Sequence, residues 1–559
     1  MPQWVGAVGS WTSSPHLGDG YHLGISLANY EFRYNLYSLW HAKMGDLTSD
    51  KASALPNEGG CVSVALSPEF LDPRISLSED LRPHQLELLL FGDFSICSKF
   101  QSPFTWSQSR KVLVLSAPFM ASTLAAYSAG AYALASSSLL QQFSITDTQF
   151  NAGITIFVAG FGFTPMILAP VSETHGRYWV YVGSGLVFLL GTLGCALSKS
   201  YAAMMVSRFL TGCGAAVFAT LTGGVVSDLY RKEDRNIPMA MYTLSIMIGT
   251  GLGPLISGTV VDRLGWRWIF FIQLIAIGVT TASLLLCFAE TSSTCLLGRK
   301  CHALNNMQLQ TTSGVTLNFF PKTGNSSSLD ISILWRSFAF PLKLLITEPV
   351  VFLFSAWVSF AWAILYMQFS SIGIVFKSVY DFDNAQVGAV YTAVIVGSSL
   401  SFLMAASEGA IIRRLTPRYS TQSTPEQRLL SSCIQSVLLP IGLFWFMLSA
   451  KPEAHWISPA LAIGFCTMGI FSIYLAVFNY LADTYQRFAS SALAAQSMCR
   501  NLLAGIFPLV TRRMLTSLTL AGTGGLLGGL GLMLTAIPWV LYFSGHRIRA
   551  RSLFAKNML

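Results

Sequence analysis

The sequence predicts an all-α integral membrane protein whose twelve transmembrane helices form two six-helix bundles. Composition is the first observation behind this fold class: 52% of the 559 residues are hydrophobic and only 11% are charged, whereas soluble domains carry roughly 25% charged residues. The mean hydropathy of +0.53 agrees. In addition, twelve segments reach the roughly 20 mostly apolar residues that a membrane-crossing helix needs. Because backbone polar groups in lipid must be satisfied within each segment, these segments are predicted to be helices.

A polar stretch divides the twelve segments into two sets of six. The predicted helices lie near 111–135, 150–170, 178–197, 202–226, 238–261, 268–289, 350–376, 385–406, 432–450, 457–481, 488–510 and 523–543. Two such halves joined by a central linker are typical of transporters built from repeated bundles, whose substrate site lies between the bundles. We therefore expect a mostly disordered cytosolic tail, a first bundle, a cytosolic linker, a second bundle and a cytosolic C-terminal tail, at 1–107, 108–290, 291–346, 347–545 and 546–559.

The basic residues follow the predicted topology. The net charge is +9, but when both termini and the even-numbered loops are assigned to the cytosol, most basic residues fall on that side, as membrane proteins prefer. The bilayer, and not nucleic acid, is therefore the expected partner. We expect a monomer with both termini in the cytosol, in the plasma membrane or, alternatively, in the vacuolar membrane. Examples of the cytosolic basic residues are Arg231, Lys232, Arg235, Arg413, Arg414, Arg547 and Arg549.

The sequence PVSETHGR (170–177) fills the short loop between the second and third predicted helices. Glu173 and Arg177 in such a loop can form charge pairs that exist only while the cytosolic side is closed, and Gly176 allows a tight turn. Asp228, at the cytosolic end of the fourth helix, is the expected partner of Arg177. These four residues are predicted to form a cytosolic gate. The alternative is a basic loop that only anchors the chain at the membrane surface.

Two arginines lie well within predicted helices. They are Arg208, in SRFLTGCGAA (207–216) of the fourth helix, and Arg500 in the eleventh. A charge inside the bilayer costs at least about 2.5–3.5 kcal/mol, so a charge that persists there indicates function. Gly212 and Gly214 lie about one turn from Arg208, which allows a neighbouring helix to approach and directs the guanidinium into the bundle. Snorkelling to the membrane surface is the alternative.

The fifth predicted helix contains GTGLGPLISG (249–258). Gly249 and Gly253 are four residues apart, and Gly258 follows one turn later, so this helix has a flat face that can pack closely. Pro254 removes one backbone hydrogen bond and bends the helix. We predict a glycine-lined hinge between the halves, with a plain kink as the alternative.

Aromatic and amide residues within the helices are candidates for the lining of a substrate cavity. Pockets for small molecules are mostly apolar and contain a few polar groups. The alternative for each aromatic side chain is ordinary packing. The candidates are Gln273, Trp362, Tyr366, Gln368, Tyr474, Asn479 and Gln496.

Acidic residues are missing from the middle of every predicted helix. A polycationic substrate would lack a buried counter-charge, so neutral or anionic cargo is favoured. No cofactor or metal is expected, because no histidine falls in a predicted membrane helix and the ten cysteines show no metal-ligand spacing. The chain is not expected to be an enzyme, and without an ATPase domain any transport would be secondary.

These motifs resemble those of the major facilitator superfamily and, within it, the fungal twelve-helix drug:proton antiporter group that also contains polyamine and multidrug exporters. The resemblance covers about 105–545 and includes WRWIFFIQ (266–273) and LLPIGLFWF (438–446). It implies that Arg208 takes part in proton coupling, that the 173–177 loop gates the cytosolic side, and that the glycines and proline of the fifth helix form the antiporter signature. Arg500 is grouped with Arg208 as a candidate for transport or coupling.

Four positions depart from the pattern of that group. Tyr178 replaces the second arginine of the gating loop, and Ser257 replaces a customary glycine. In the seventh helix Ser370 replaces a customary glutamate and Gly373 a proline. The change at Ser370 agrees with the missing mid-membrane carboxylate.

We therefore expect a secondary active transporter that exports a small amphipathic organic molecule, such as a drug, toxin or secondary metabolite. Proton antiport with alternating access of the central site to the two membrane faces is the expected mechanism. One alternative is an uptake permease or an uncoupled facilitator. Another is a membrane sensor that has the transporter fold but does not transport.

Overall fold

The computed structural model describes residues 61–66, 101–306, 316–321, 331–415, 429–485 and 489–550. All of its helices lie in one compact unit, Ser63–Leu559. Twelve of them are long and apolar enough to cross a membrane, so the predicted helix number is confirmed. Most of the predicted N-terminal tail, part of the central linker and the last residues of the chain lie outside the described residues.

The twelve spans are named α1 to α12 in chain order. Their bounds are α1 Gln108–Phe143, α2 Asp147–Glu173, α3 Arg177–Leu197, α4 Tyr201–Leu229, α5 Asn236–Leu264, α6 Arg267–Cys287, α7 Pro349–Tyr380, α8 Asn384–Glu408, α9 Leu430–Ser449, α10 Ile457–Tyr485, α11 Ser491–Ser517 and α12 Thr519–Gly545. We call the end at which α1 begins and at which α2, α4, α8 and α10 end the even-loop end. The opposite end is the odd-loop end.

Several spans begin and end at recognisable sequence signals. Thr146 caps α2 in a reciprocal capping box with Gln149, and Asp383 forms the same arrangement with Gln386 at the start of α8. These side chains satisfy backbone groups that the first helical turn leaves free. Gly265, with φ +87°, ends α5 in a conformation that side chains rarely adopt.

Some spans contain a local break. In α1 the α-helix Gln108–Ala131 passes through the 3-10 turn Tyr132–Ala135 into the helix Ser136–Phe143. Three later spans each consist of two helices. In α8 these are Asn384–Val390 and Thr392–Leu415, in α9 Leu430–Gln435 and Leu438–Ser449, and in α12 Thr519–Leu534 and Ala536–Ala550.

The most buried spans are α4, α7 and α10, and the least buried are α6 and α12. Large apolar side chains such as Leu286 and Phe543 are exposed on the outer helices, as expected where lipid tails cover the surface. The two halves meet mainly through α2 against α11 and α5 against α8, with α10 also touching α4 and α5. The centre of the protein is therefore built from the helices that contain the candidate site residues.

The linker between the halves contains regular structure in its described parts. A helix, Ser293–Asn306, follows α6, and a second helix, Ile331–Thr347, precedes α7. Phe338 and Leu342 of the second helix pack beside Met166 of α2 and Met498 of α11, so this linker helix touches both halves at the even-loop end. Two short strands, β1 (Cys61–Leu66) and β2 (Thr316–Pro321), form a two-stranded sheet.

Candidate functional site

Arg208 is completely buried between α1, α2 and α4. Its Nη1 donates to the carbonyl oxygen of Ser128 at 3.2 Å and its Nε to that of Gly153 at 3.4 Å. The guanidinium carbon lies 4.4 Å from the ring centre of Tyr132 and 4.5 Å from that of Phe157. The side chain thus points into the first bundle, and the snorkelling alternative is wrong. Two carbonyls and two aromatic faces surround its charge, and none of the ion pairs found among the described residues involves it.

Close helix contacts hold Arg208 in place. A Cβ atom at Gly212 would lie 2.0 Å from the carbonyl oxygen of Phe157, and one at Gly214 would lie 2.3 Å from the backbone nitrogen of Phe188. Both distances are far below van der Waals contact, so α2 and α3 can approach α4 this closely only because these positions are glycines. The sequence SRFLTGCGAA therefore supplies both the charge and the space around it.

Arg500 is equally buried but lies in the second half of the protein. Its guanidinium carbon is 4.5 Å from the ring centre of Trp362 and 4.9 Å from that of Tyr474, and these two rings stack with centroids 4.9 Å apart. Its Nη2 donates to Ser497 Oγ at 3.3 Å. Nε and Nη1 have no hydrogen-bond partner among the described residues. Three predicted site residues, Arg500, Trp362 and Tyr474, thus form one cluster.

The Arg500 cluster lies at the interface between the two halves. The hydroxyl of Tyr474 donates to the carbonyl oxygen of Ala219 in α4 at 3.3 Å, and Tyr242 of α5 donates to the same oxygen at 2.6 Å. Tyr366 of α7 is buried, and its ring centre lies 5.3 Å from that of Phe369 on the same helix. Helices of both halves therefore meet at the Arg500 cluster.

The other predicted cavity residues take different positions. Gln496 and Gln273 are almost wholly buried, and polar atoms of both side chains have no partner among the described residues. Gln496 is one turn before Arg500 and shares its helix face. Asn479 donates to Asn236 Oδ1 at 3.1 Å, nearer the even-loop end. Gln368 faces a cavity of about 40 Å³ between helices of the second half, away from the interface.

A polar network lies at the even-loop end of the first half. Arg177 Nε lies 2.5 Å from Asp228 Oδ2, which is the pairing expected from the sequence. Thr291 also donates to Asp228, at 3.3 Å. Glu290, which sequence reasoning missed as a site residue, accepts hydrogen bonds from the backbone nitrogens of Arg177 at 2.9 Å and Tyr178 at 3.2 Å. A carboxylate at the start of a helix is favoured by the free N–H groups there.

The tight turn before this network requires glycine. Gly176 has φ +98°, and a Cβ atom there would lie 2.3 Å from Glu290 Oε2. Both the backbone conformation and the space exclude a side chain. Glu173 lies beside the network, and its carbonyl oxygen accepts a hydrogen bond from Ser292 at 3.2 Å. The four predicted gate residues are thus neighbours, all within the first half.

The two halves touch each other through polar side chains at both ends. At the even-loop end, Arg235 Nη1 lies 3.5 Å from Asp483 Oδ1. At the odd-loop end, Asn384 of α8 donates to Asp262 of α5 at 2.6 Å. Arg512 of α11 forms an exposed ion pair with Asp147 of α2. Polar contacts between the halves are therefore present at both ends of the protein.

The glycines of α5 serve two different contacts. A Cβ atom at Gly249 would lie 2.2 Å from the carbonyl oxygen of Thr123 in α1, and one at Gly253 would lie 2.6 Å from that of Tyr127. Both therefore pack α5 within its own half. Gly258 faces the other half, because a Cβ there would lie 2.3 Å from the carbonyl oxygen of Asn384. Only part of the predicted glycine face thus lies between the halves.

Replacing Gly258 with valine is expected to lower the stability of the protein. The added atoms would collide with the α8 backbone, and overpacking of this kind costs about 1–3 kcal/mol. The change should appear as a lower unfolding temperature of the purified protein in detergent. The matched control is Gly373→Val, since a Cβ at Gly373 meets nothing within 4 Å. Equal unfolding temperatures of the two variants would show that α5 and α8 do not need this contact.

No group of three or more His, Cys, Asp or Glu side chains in the described parts of the chain could hold a metal ion. The acidic side chains of the described spans lie at or near helix ends, as the sequence indicates.

Comparison with known proteins identifies relatives of this chain. Residues 118–508 match the family model of the Major Facilitator Superfamily. The chain is 34% identical over 461 residues to the MFS transporter prlG of Fungal sp. (strain NRRL 50135), covering 81% of this chain and 94% of that protein. It is 30% identical over 450 residues to the efflux pump FUBT of Fusarium oxysporum, covering 80% of this chain and 74% of that protein.

A solved structure shows the same fold. The proton:xylose symporter XylE superposes with a TM-score of 0.58 at 14% identity, covering 78% of this chain and 97% of that chain. An identity this low carries the fold alone. The structural likeness therefore supports the fold, and the sequence relatives support the family.

Proposed function

The chain belongs to the major facilitator superfamily and is a membrane transporter, and we propose that it exports a small amphipathic organic molecule in exchange for protons. The relative FUBT is an efflux pump, which supports the outward direction. The relatives are transporters and not enzymes. Cargo of the secondary-metabolite or toxin class fits the centre, which offers aromatic surface together with a few polar groups.

The observation that carries this proposal is the cluster of buried polar groups around Arg500, where the two halves meet. In this cluster, Nε and Nη1 of Arg500 and both polar side-chain atoms of Gln496 are buried and have no partner among the described residues. Leaving such groups unpaired is costly, so a ligand that pairs with them would be bound strongly. Contacts between the halves at both ends would have to open in turn to admit and release that ligand. This is alternating access, in which the ligand shifts the populations of the two open states through its different affinities for them.

The proposal gives each group of residues a role. Arg208 responds to charge that enters the centre, either a proton or an anionic group. The network of Glu173, Gly176, Arg177 and Asp228 holds the even-loop end of the first half in its closed arrangement. Gly258 and the neighbouring turn of α5 provide the surface on which α5 and α8 move against each other.

We also propose that both termini face the cytosol and that the protein resides as a monomer in the plasma membrane, with the vacuolar membrane as the alternative. Basic side chains support this orientation because they concentrate at the even-loop end, among them Arg231, Lys232, Arg299 and Lys343. A fluorescent tag on the C-terminus should label the periphery of a fungal cell and remain inaccessible to external antibody.

Transport by purified protein tests the proposed exchange. The full chain is reconstituted into vesicles with an acidic interior and supplied with a fungal metabolite extract. We expect some compounds of the extract, identified by mass spectrometry, to accumulate inside the vesicles. Accumulation should stop when a protonophore removes the pH gradient. Weak acids are passively excluded from an acidic interior, so their accumulation would require exchange with protons.

Vesicles without protein and vesicles with Arg208→Gln provide the controls for this experiment. Accumulation that ignores the pH gradient would indicate an uncoupled facilitator. Accumulation only when the interior is alkaline would indicate uptake together with protons, and either outcome would overturn proton antiport.

A further inference from the structure

The two buried arginines differ in how completely their charge is satisfied. Arg208 donates to two backbone carbonyls and lies against two aromatic rings, which leaves only Nη2 unpartnered in the described structure. Arg500 donates only to Ser497, and two of its three nitrogens lack a partner within the described residues. A buried charge without hydrogen bonds or a counter-charge is strongly unfavourable. Arg500 is therefore the group with the larger unused capacity to bind an anion.

The surroundings of Arg500 contain further unused hydrogen-bonding capacity. Gln496, on the same face of α11, is completely buried, and neither its Nε2 nor its Oε1 has a partner among the described residues. No ion pair involving Arg500 is formed in this part of the chain. An amide and a guanidinium side by side provide several N–H donors, which is the chemistry that carboxylates require.

Aromatic surface lies directly beside these donors. Trp362 and Tyr474 stack on each other and both face the guanidinium of Arg500. Tyr474 is also hydrogen-bonded to α4 of the opposite half. A ligand held here would touch both halves, so its binding can depend on how the halves are arranged.

We propose that Arg500, assisted by Gln496, binds the acidic group of the transported molecule, a carboxylate or an equally acidic enol, while Trp362 and Tyr474 contact its unsaturated or aromatic part. This inference rests on the proposed transport function and names its substrate class, an organic anion with an apolar body. Arg500 is then the residue that selects an anion over a neutral molecule of the same shape. Arg208 keeps a separate role.

Binding of matched probes tests this assignment. The purified full chain in detergent is titrated with 2-naphthylacetic acid and with its primary amide, which has the same shape without the charge. A hydrogen bond to a charged group contributes about 1.5–3 kcal/mol, so the acid should bind roughly 10- to 100-fold more tightly than the amide. Arg500→Gln should bring this ratio close to one while the amide binds as before, which also shows that the variant is folded.

The control variant is Arg513→Gln, which removes an exposed arginine from the same helix and should keep the acid preference. A wild-type protein that binds neither probe, or binds both equally, would overturn the assignment, as would an Arg500→Gln variant that still prefers the acid.

The vesicle experiment separates this result from the transport proposal. If the acid preference depends on Arg500 but no pH-driven flux is found, proton exchange is wrong and the anion site stands. If pH-driven flux is found while Arg500→Gln still discriminates, only the anion site is wrong.

Discussion

Replacing Arg208 with glutamine is expected to abolish proton-coupled transport while leaving the protein inserted and folded. The guanidinium makes two charged hydrogen bonds, to the carbonyls of Ser128 and Gly153, and each such bond contributes about 1.5–3 kcal/mol. Loss of one such bond therefore lowers the equilibrium population of the conformation that contains it by roughly 10- to 100-fold. Glutamine removes the charge and is too short to reach both α1 and α2. The measurement is the initial rate of pH-driven uptake into vesicles.

Lysine at this position should also fail. An ammonium group is compact and cannot present a flat face to Tyr132 and Phe157 while donating to both carbonyls. If only the positive charge of Arg208 mattered, Arg208→Lys would keep most of the flux. The glutamine and lysine variants together therefore show whether the charge alone or also the shape of the guanidinium is required.

The matched control for Arg208 is Arg263→Gln, which removes an exposed arginine at the odd-loop end of α5 and should leave the rate unchanged. The protein level in the membrane and the unfolding temperature show whether each variant is folded. Undiminished pH-driven uptake by Arg208→Gln would remove this residue from the coupling mechanism.

The fold was predictable from hydropathy because lipid imposes a strict condition on the backbone. A segment that crosses the membrane must satisfy its own hydrogen bonds, so apolar length alone identifies the helix. The ends were less predictable. The sequence predicts that the first helix ends near residue 135, but the helix continues to Phe143. The prediction stops short because Ser136–Phe143 is a polar, amphipathic segment without a hydropathy signal.

The candidate site was only partly predictable. Arg208 and Arg500 stand out as charges within apolar helices, and that signal is local to the sequence. Their partners cannot be recognised in this way. Tyr132 reaches Arg208 from another helix, and Trp362 reaches Arg500 from a helix that is far away in the sequence. Sequence spacing gives no measure of such contacts.

Glu290 shows the same limit at the gate. Its sequence signal is only that of an acidic residue after an apolar helix, and such residues are common. Its significance depends on the α6 end lying beside the first turn of α3, where two backbone N–H groups point at the carboxylate. The placement of α5 is a similar case, because its glycines look alike in the sequence but face different helices.

Two ion pairs of the protein make a direct comparison between buried and exposed charges. Arg177 and Asp228 have side chains that are 5% and 22% exposed, whereas those of Arg512 and Asp147 are 60% and 49% exposed. Removing one partner of a buried pair costs about 3–5 kcal/mol because the remaining charge is left without compensation. An exposed pair contributes only about 0–1 kcal/mol.

Asp228→Asn is therefore expected to lower the unfolding free energy by about 3 kcal/mol. This is the lower end of the range for a buried pair, because Asp228 retains some exposure. Arg512→Gln should change the unfolding free energy by less than about 1 kcal/mol. In the double variant Arg177→Gln with Asp228→Asn, no lone charge remains, so the loss should be smaller than the sum of the two single losses. Unfolding of the purified protein in detergent, followed by tryptophan fluorescence, measures all four variants. Additive losses would mean that Arg177 and Asp228 do not stabilise each other, and the closed arrangement of the even-loop end would then depend on Glu290 and the backbone of α3 alone.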